Sequence, residues 1–182
     1  LDTGGLWELT PTVEKLEDNQ WYLTMMKRSA NPSTKTIMGS LDSAYGLWRY
    51  DDTLRKRLGD LRYIDNDQNG LWVRLKAGKM AADSYDGNYQ MYQIGYDKKS
   101  DDTIYGIAVD HSKASNDYYA GDGDNSMTNL TLYATNYRGG VDVKNQKSGS
   151  TYSDLVLRAG RLQSNVDSYG TYHDSLGYDT WG

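Results

Sequence analysis

The sequence predicts an all-β chain with one linker helix, its strands running as an antiparallel up-and-down β meander. Three observations carry this. From Gly70 onward apolar and polar side chains alternate with a period of two. The segment before it repeats every three to four residues. The composition of 17 Tyr, 5 Trp and 19 Gly beside only 2 Pro suits a turn-rich, tyrosine-lined sheet better than a helical bundle.

Residues 1–30 hold two short aromatic strands, Leu6-Trp7-Glu8-Leu9 and Trp21-Tyr22-Leu23-Thr24, with the polar stretch from Thr10 to Gln20 between them. Asn31-Pro32-Ser33 breaks that pattern, placing Pro just before a Ser or Thr able to cap a helix. Residues 31–66 form a linker whose helix is expected over Thr34 to Arg62. Ile37, Leu41, Ala44 and Trp48 fall on one face, and Leu54, Leu58 and Leu61 follow after a phase slip at Asp51-Asp52. About 29 residues at 1.5 Å each would span roughly 43 Å, a bilayer with its headgroups. Arg49, Asp51, Arg55, Lys56 and Asp60 lie off the stripe, so such a helix suits a wet, polar cavity better than lipid.

Residues 67–182 carry the strands. Gly70 to Lys79 sets Leu71, Val73, Leu75 and Ala77 against Trp72, Arg74, Lys76 and Gly78. Tyr89 to Tyr96, Thr103 to Asp110, Met127 to Thr135 and Tyr152 to Leu162 follow, with apolar faces Tyr92, Ile94, Tyr96; Tyr105, Ile107, Val109; Leu130, Leu132, Ala134; and Leu155, Leu157, Ala159. Gln93, Asp110, Asn129, Thr131, Asp154 and Arg158 occupy the other face. The connections Met80 to Asn88 and His111 to Asn125 read as long loops and Asp97 to Asp102 as a compact turn. Asn136 to Ser150 breaks the long-short alternation. A soluble sandwich and a membrane barrel both alternate in this way, so periodicity does not choose between them.

Other classes are easier to exclude. A net charge of -5 with interleaved Lys, Arg and acids argues against a nucleic-acid partner, which needs a basic surface. With no Cys and 2 His, no disulfide framework, metal site or cofactor is expected. No apolar run reaches the length of a transmembrane helix.

The run Leu54-Arg55-Lys56-Arg57-Leu58-Gly59-Asp60-Leu61-Arg62 resembles the helix that enters the autotransporter β-domain. Gly70-Leu71-Trp72-Val73-Arg74, Tyr89 to Asp97, Tyr152-Ser153-Asp154-Leu155-Val156 and Tyr178-Asp179-Thr180-Trp181-Gly182 are similar to that family's strands in the same order. The resemblance implies that the meander is part of a transmembrane β-barrel in the outer membrane of a Gram-negative bacterium. It also implies that residues 1–30 end a passenger exposed at the cell surface, and that the helix occupies the pore. Outer-membrane lipid, the chain's own passenger, the barrel-assembly machinery and periplasmic chaperones are then the partners. Five strands and the start of a sixth are too few to close a barrel, so the segment is expected to form an open sheet. Arg74, Lys76, Gln93, Asp154 and Arg158 become lumen-facing. Some members cut the helix inside the pore through an Asn side chain; the matching positions here are Asp52 and Thr53, which lack the nucleophilic amide.

Two sharper readings compete with bland ones. Gly121-Asp122-Gly123-Asp124-Asn125 could offer oxygens to calcium or be a solvated loop. His111 and His173, beside Asp110 and Asp174 and near Ser112 and Ser175, suggest catalysis, yet strand neighbours point to opposite faces. The rival function is a soluble, tyrosine-rich binding module holding a glycan or protein, favoured by a mean hydropathy of -0.80.

Overall fold

The computed structural model describes residues 5–15, 20–50, 70–138, 151–170 and 173–182. A hairpin comes first. Strands β1 (Trp7–Lys15) and β2 (Trp21–Ala30) pair antiparallel with a bulge between Thr12 and Val13. The stretch from Thr10, expected as a polar spacer, is therefore strand as far as Lys15: a threonine-rich, two-faced polar strand gives no alternation to read.

Helix α1 spans Pro32–Tyr50. Its cap is Asn31, not the Ser or Thr after the proline. The Asn31 Oδ1 accepts the Thr34 amide at 2.8 Å and its carbonyl accepts the Lys35 amide at 3.0 Å, while Pro32, needing no donor, takes the first helical position. The same asparagine ties the helix to the hairpin, since its amide N–H donates to the Leu6 carbonyl at 3.1 Å. The remainder of the expected helix, with the Leu54 to Arg62 run, lies outside the described residues.

Six strands then make one sheet in chain order: β3 (Gly70–Ala82), β4 (Tyr85–Ser100), β5 (Thr103–Tyr118), β6 (Gly121–Arg138), β7 (Thr151–Tyr169) and β8 (His173–Trp181). Each is antiparallel to the next, and β3 and β8 are the edges of this open sheet. The expected long loops are a correction. Asp83-Ser84, Asp101-Asp102 and Tyr119-Ala120 are the whole connections between β3, β4, β5 and β6. Asp101 takes the left-handed φ of 52° that a two-residue hairpin demands and that Asp tolerates. Residues 139–150, between β6 and β7, lie outside the described set.

The strands outrun their apolar patterns for a physical reason. Beyond Ala77, Tyr92, Val109 and Leu130 the outward positions become Lys79, Asn88, Lys113, Ser115 and Asp124. There the outward face is hydrophilic, while the helix-bearing face carries Met80, Tyr85, Tyr89, Ala114 and Met127, so the apolar side of the alternation changes face along the strand. Gly121 to Asn125 is accordingly the start of β6 rather than a loop.

Candidate functional site: the helix-bearing face of the sheet

The two faces of the sheet differ in chemistry. One carries Leu71, Val73 and Leu75, then Tyr92, Ile94, Tyr96, Tyr105, Ile107, Val109, Leu130, Leu132, Leu155 and Leu157, all open to the surroundings; Leu75 is 70% exposed. The other bears α1 and buries Gln93, Asp97, Asp110, Ser112, Asn116, Asn125, Asn129 and Thr131. The sheltered side thus buries many polar residues beside an apolar cluster under the helix that includes Met80, Tyr89, Met127 and Leu162, while the large aliphatic and aromatic belt stands on the open side, where a water-soluble protein would not leave it.

The helix meets this face through small polar side chains and, with Ala44 and Leu47, through an apolar cluster of Met80, Tyr85, Tyr89, Ala114, Met127 and Leu162. Thr36, Ser40, Ser43, Ala44 and Leu47 are buried, whereas Ile37, Leu41 and Trp48 of the expected apolar stripe stay exposed. Of that stripe only Ala44 is buried against the strands, and the larger contact is made by Leu47, off the expected stripe; at Gly39 and Gly46 close approach leaves no room for a side chain. A Cβ on Gly39 would stand 2.5 Å from the Ser84 carbonyl, and one on Gly46 would strike the Tyr85 hydroxyl. Hydrogen bonds fix the register: Asn125 Nδ2 donates to Ser43 Oγ at 2.8 Å, the Ser43 and Tyr118 hydroxyls lie 2.9 Å apart, the Ala120 amide donates to Thr36 Oγ1 at 3.2 Å, and Tyr178 donates to the Ser40 carbonyl at 3.2 Å. The start of the helix therefore lies at the end of the sheet where the Tyr119-Ala120 turn and Gly170 sit, with Ser33 bonded to Ser168.

Below the helix the face holds two buried carboxylates. Asp110, 2% exposed, accepts from Asn129 Nδ2 at 2.6 Å and Gln93 Nε2 at 3.5 Å and forms an ion pair with Arg158 Nη2 at 3.5 Å. Asp97, 1% exposed, accepts from Trp72 Nε1 at 3.2 Å and from the Tyr133 hydroxyl. Gly95 and Gly106 make room for those rings, since a Cβ on either would enter Trp72 or Tyr133. A buried carboxylate is tolerated only with such donors around it. Asp97 and the Asn129 amide were not singled out as site residues from sequence; inward-facing position in the alternation was the available signal.

Arg74, Lys76, Gln93, Asp154 and Arg158 all lie on the helix-bearing face by ladder register. Gln93 and Arg158 converge on Asp110, Arg74 pairs in register with Gln93, and Lys76 sits over the Tyr89 ring. Asp154 stands apart and exposed beside Thr135. Asp52 and Thr53 lie outside the described residues. The calcium reading is corrected: Asp122 and Asp124 point to the open face and Asn125 to the helix, so their oxygens diverge. The catalytic reading meets the same geometry. His111 bonds Thr128 on the open face while Asp110 and Ser112 are buried on the other, and Ser175 donates to Asp167.

An antiparallel meander that turns an apolar belt outward and shelters a polar helix on its hydrophilic side has the construction of a transmembrane β-barrel wall. A soluble module would have buried the belt. The family model of the autotransporter beta-domain matches residues 69–182, and the chain belongs to that family: it is an outer-membrane translocator of type V secretion, the part that carries a passenger to the cell surface, not a catalytic passenger. Curated relatives agree. The serine protease SepA autotransporter of Shigella flexneri is 30% identical over 141 residues, 72% of this chain and 10% of that protein. The serine protease EspP of Escherichia coli is 33% identical over 131 residues, 65% of this chain and 10% of that protein. The probable autotransporter YcgV of Escherichia coli K12 is 30% identical over 121 residues, 62% and 12% respectively. The chain thus spans about a tenth of the length of these relatives.

Proposed function

We propose that α1 fills the lumen of the translocator barrel, that Arg74, Lys76, Gln93, Asp154 and Arg158 line that lumen, and that residues 1–30 form the end of the passenger. The observation that carries this reading is the docking of α1 through Thr36, Ser40 and Ser43 onto the polar strand face. A charged, polar helix cannot lie in lipid, and the wall's polar side offers it hydrogen bonds. The β1–β2 hairpin leaves Trp7, Val13, Trp21 and Met25 exposed, and a β passenger stacked upon it would cover them. Insertion proceeds through the barrel-assembly machinery with periplasmic chaperones, since the apolar belt must be kept from water on the way.

Ser43→Cys with Asn125→Cys, placed in a stretch of 182 residues that contains no Cys, tests this reading. A short bifunctional thiol-reactive reagent, a bis-methanethiosulfonate that each thiolate attacks with loss of sulfinate, should join the pair in outer-membrane fractions of cells making the full protein. Heat-modifiable barrels that never cross-link would sink the lumen reading. Asp52 and Thr53 should also stay joined in the mature protein, for want of a cyclising amide; a new terminus between them by mass spectrometry would refute that.

A further inference from the structure

On the open face the upper edge of the apolar belt is Ala77 on β3 and Ala159 on β7, and Ala159 stands level with Val73 in the ladder. A line joining these two ends descends four residues, about 13 Å, across four strand spacings, about 19 Å, with Val109 and Leu130 between them already level with Val73. That slope is about 35°, the tilt of strands in an outer-membrane barrel, so the line runs level with the membrane plane. Beyond it lie Lys79 on β3, one outward step past Ala77; Lys113 on β5, two steps past Val109 and level with Ala77; and Arg161 on β7, one step past Ala159 and level with Leu75. They descend by the same four residues over the same four strands. Three cations thus follow one line at one depth. The last outward row before the turns is acidic, with Asp86, Asp117, Asp122 and Asp167 side by side, one outward step past Lys79, two past Lys113 and three past Arg161.

We infer that this line is a seat for a lipid whose headgroup is a bisphosphorylated disaccharide, held at the outer-leaflet surface with its acyl chains on the belt. The inference rests on the translocator reading for its orientation: the helix enters at this end of the sheet, with β1–β2 before it, so this end faces the cell exterior. Lys79 and Lys113 are both exposed, and among the described residues no carboxylate forms an ion pair with either. Two strand spacings and one step of register separate their Cα atoms by about 12 Å. A disaccharide carrying a phosphate at each end spans such a gap, whereas a phospholipid with a single phosphate meets one lysine at a time. Arg161, held by Asp179 and lying 5.6 Å over the Trp181 ring, extends the line at the belt edge.

The test is binding of lipid A, purified and delivered in detergent micelles, to the full protein, with phosphatidylglycerol and dephosphorylated lipid A as comparisons. Lys79→Gln with Lys113→Gln should weaken lipid A binding about thirtyfold, as removal of two cations from an anionic lipid surface implies. Lys98→Gln, at the opposite edge of the belt, should leave it unchanged. Binding by the double variant within twofold of wild type would overturn the inference, as would equal binding of phosphatidylglycerol or of the dephosphorylated lipid. Heat-modifiable mobility of the wild-type protein is read in parallel: its loss would strike the barrel reading itself, while its retention with unselective lipid binding strikes only the seat.

Discussion

Replacing Asp110 with leucine asks what the buried carboxylate contributes to the lumen wall. It is 2% exposed and serves three donors, Asn129, Gln93 and Arg158. Removing one member of a buried pair typically costs about 3–5 kcal/mol, because the remaining charge is left without compensation. The Arg158 side chain is 21% exposed and has contacts besides Asp110, so the lower end applies. Asp110→Leu should therefore lose about 3 kcal/mol. Asp110→Asn keeps the volume and one acceptor and should lose about 1–2 kcal/mol. Asp110→Leu with Arg158→Leu removes both charges and should recover most of the loss, since a well-packed apolar pair is often no worse than an ion pair. The assay is urea unfolding of the folded translocator in detergent, followed by tryptophan emission and by heat-modifiable mobility. An Asp110→Leu variant within about 0.5 kcal/mol of wild type, the scatter of an ordinary surface substitution, would refute the reasoning. So would a double variant that loses as much as the two singles added together.

Three further outcomes follow from the same geometry. Leu132→Arg, in the outward row shared with Leu71, Tyr96, Ile107 and Leu157, should cost about 2–4 kcal/mol of membrane-inserted stability, against about 0–1 for Ser115→Arg beyond the belt; equal costs in lipid-vesicle folding would contradict the belt. Gly46→Val drives a side chain into the Tyr85 hydroxyl and should abolish cross-linking between Cys residues placed at 43 and 125, while Tyr85→Ala in the same chain restores it; retained cross-linking in the single variant would show the helix to be held elsewhere. Asn31→Ala removes the cap from the Thr34 amide and should cost about 1 kcal/mol, whereas Asn31→Ser should keep most of it; hydrogen exchange at Thr34 unchanged by Asn31→Ala would disprove the cap.

The open face was readable from sequence because lipid imposes a strict alternation, and Leu71, Ile94, Ile107, Leu132 and Leu157 stand where the period of two puts them. Strand ends were not, since at Lys79, Asn88, Lys113 and Asp124 the open face turns polar and the apolar positions, Met80, Tyr89 and Ala114, switch to the helix-bearing face. The helix is the instructive failure. An apolar stripe is normally the face a helix buries, and that rule pointed to Ile37, Leu41 and Trp48. The rule assumes a dry core. Here the sheltered face is mixed and crowded by Tyr85 and Tyr118, so beside the apolar contact of Ala44 and Leu47 the helix meets it with residues that permit close approach and can share hydrogen bonds: Thr36, Gly39, Ser40, Ser43 and Gly46. Inverting the solvent inverts the meaning of the stripe. Within a wall whose lipid side is already apolar, small and polar residues spaced three to four apart mark the docking face, and the same inversion explains why a carboxylate such as Asp110 can be buried where a soluble protein would place leucine.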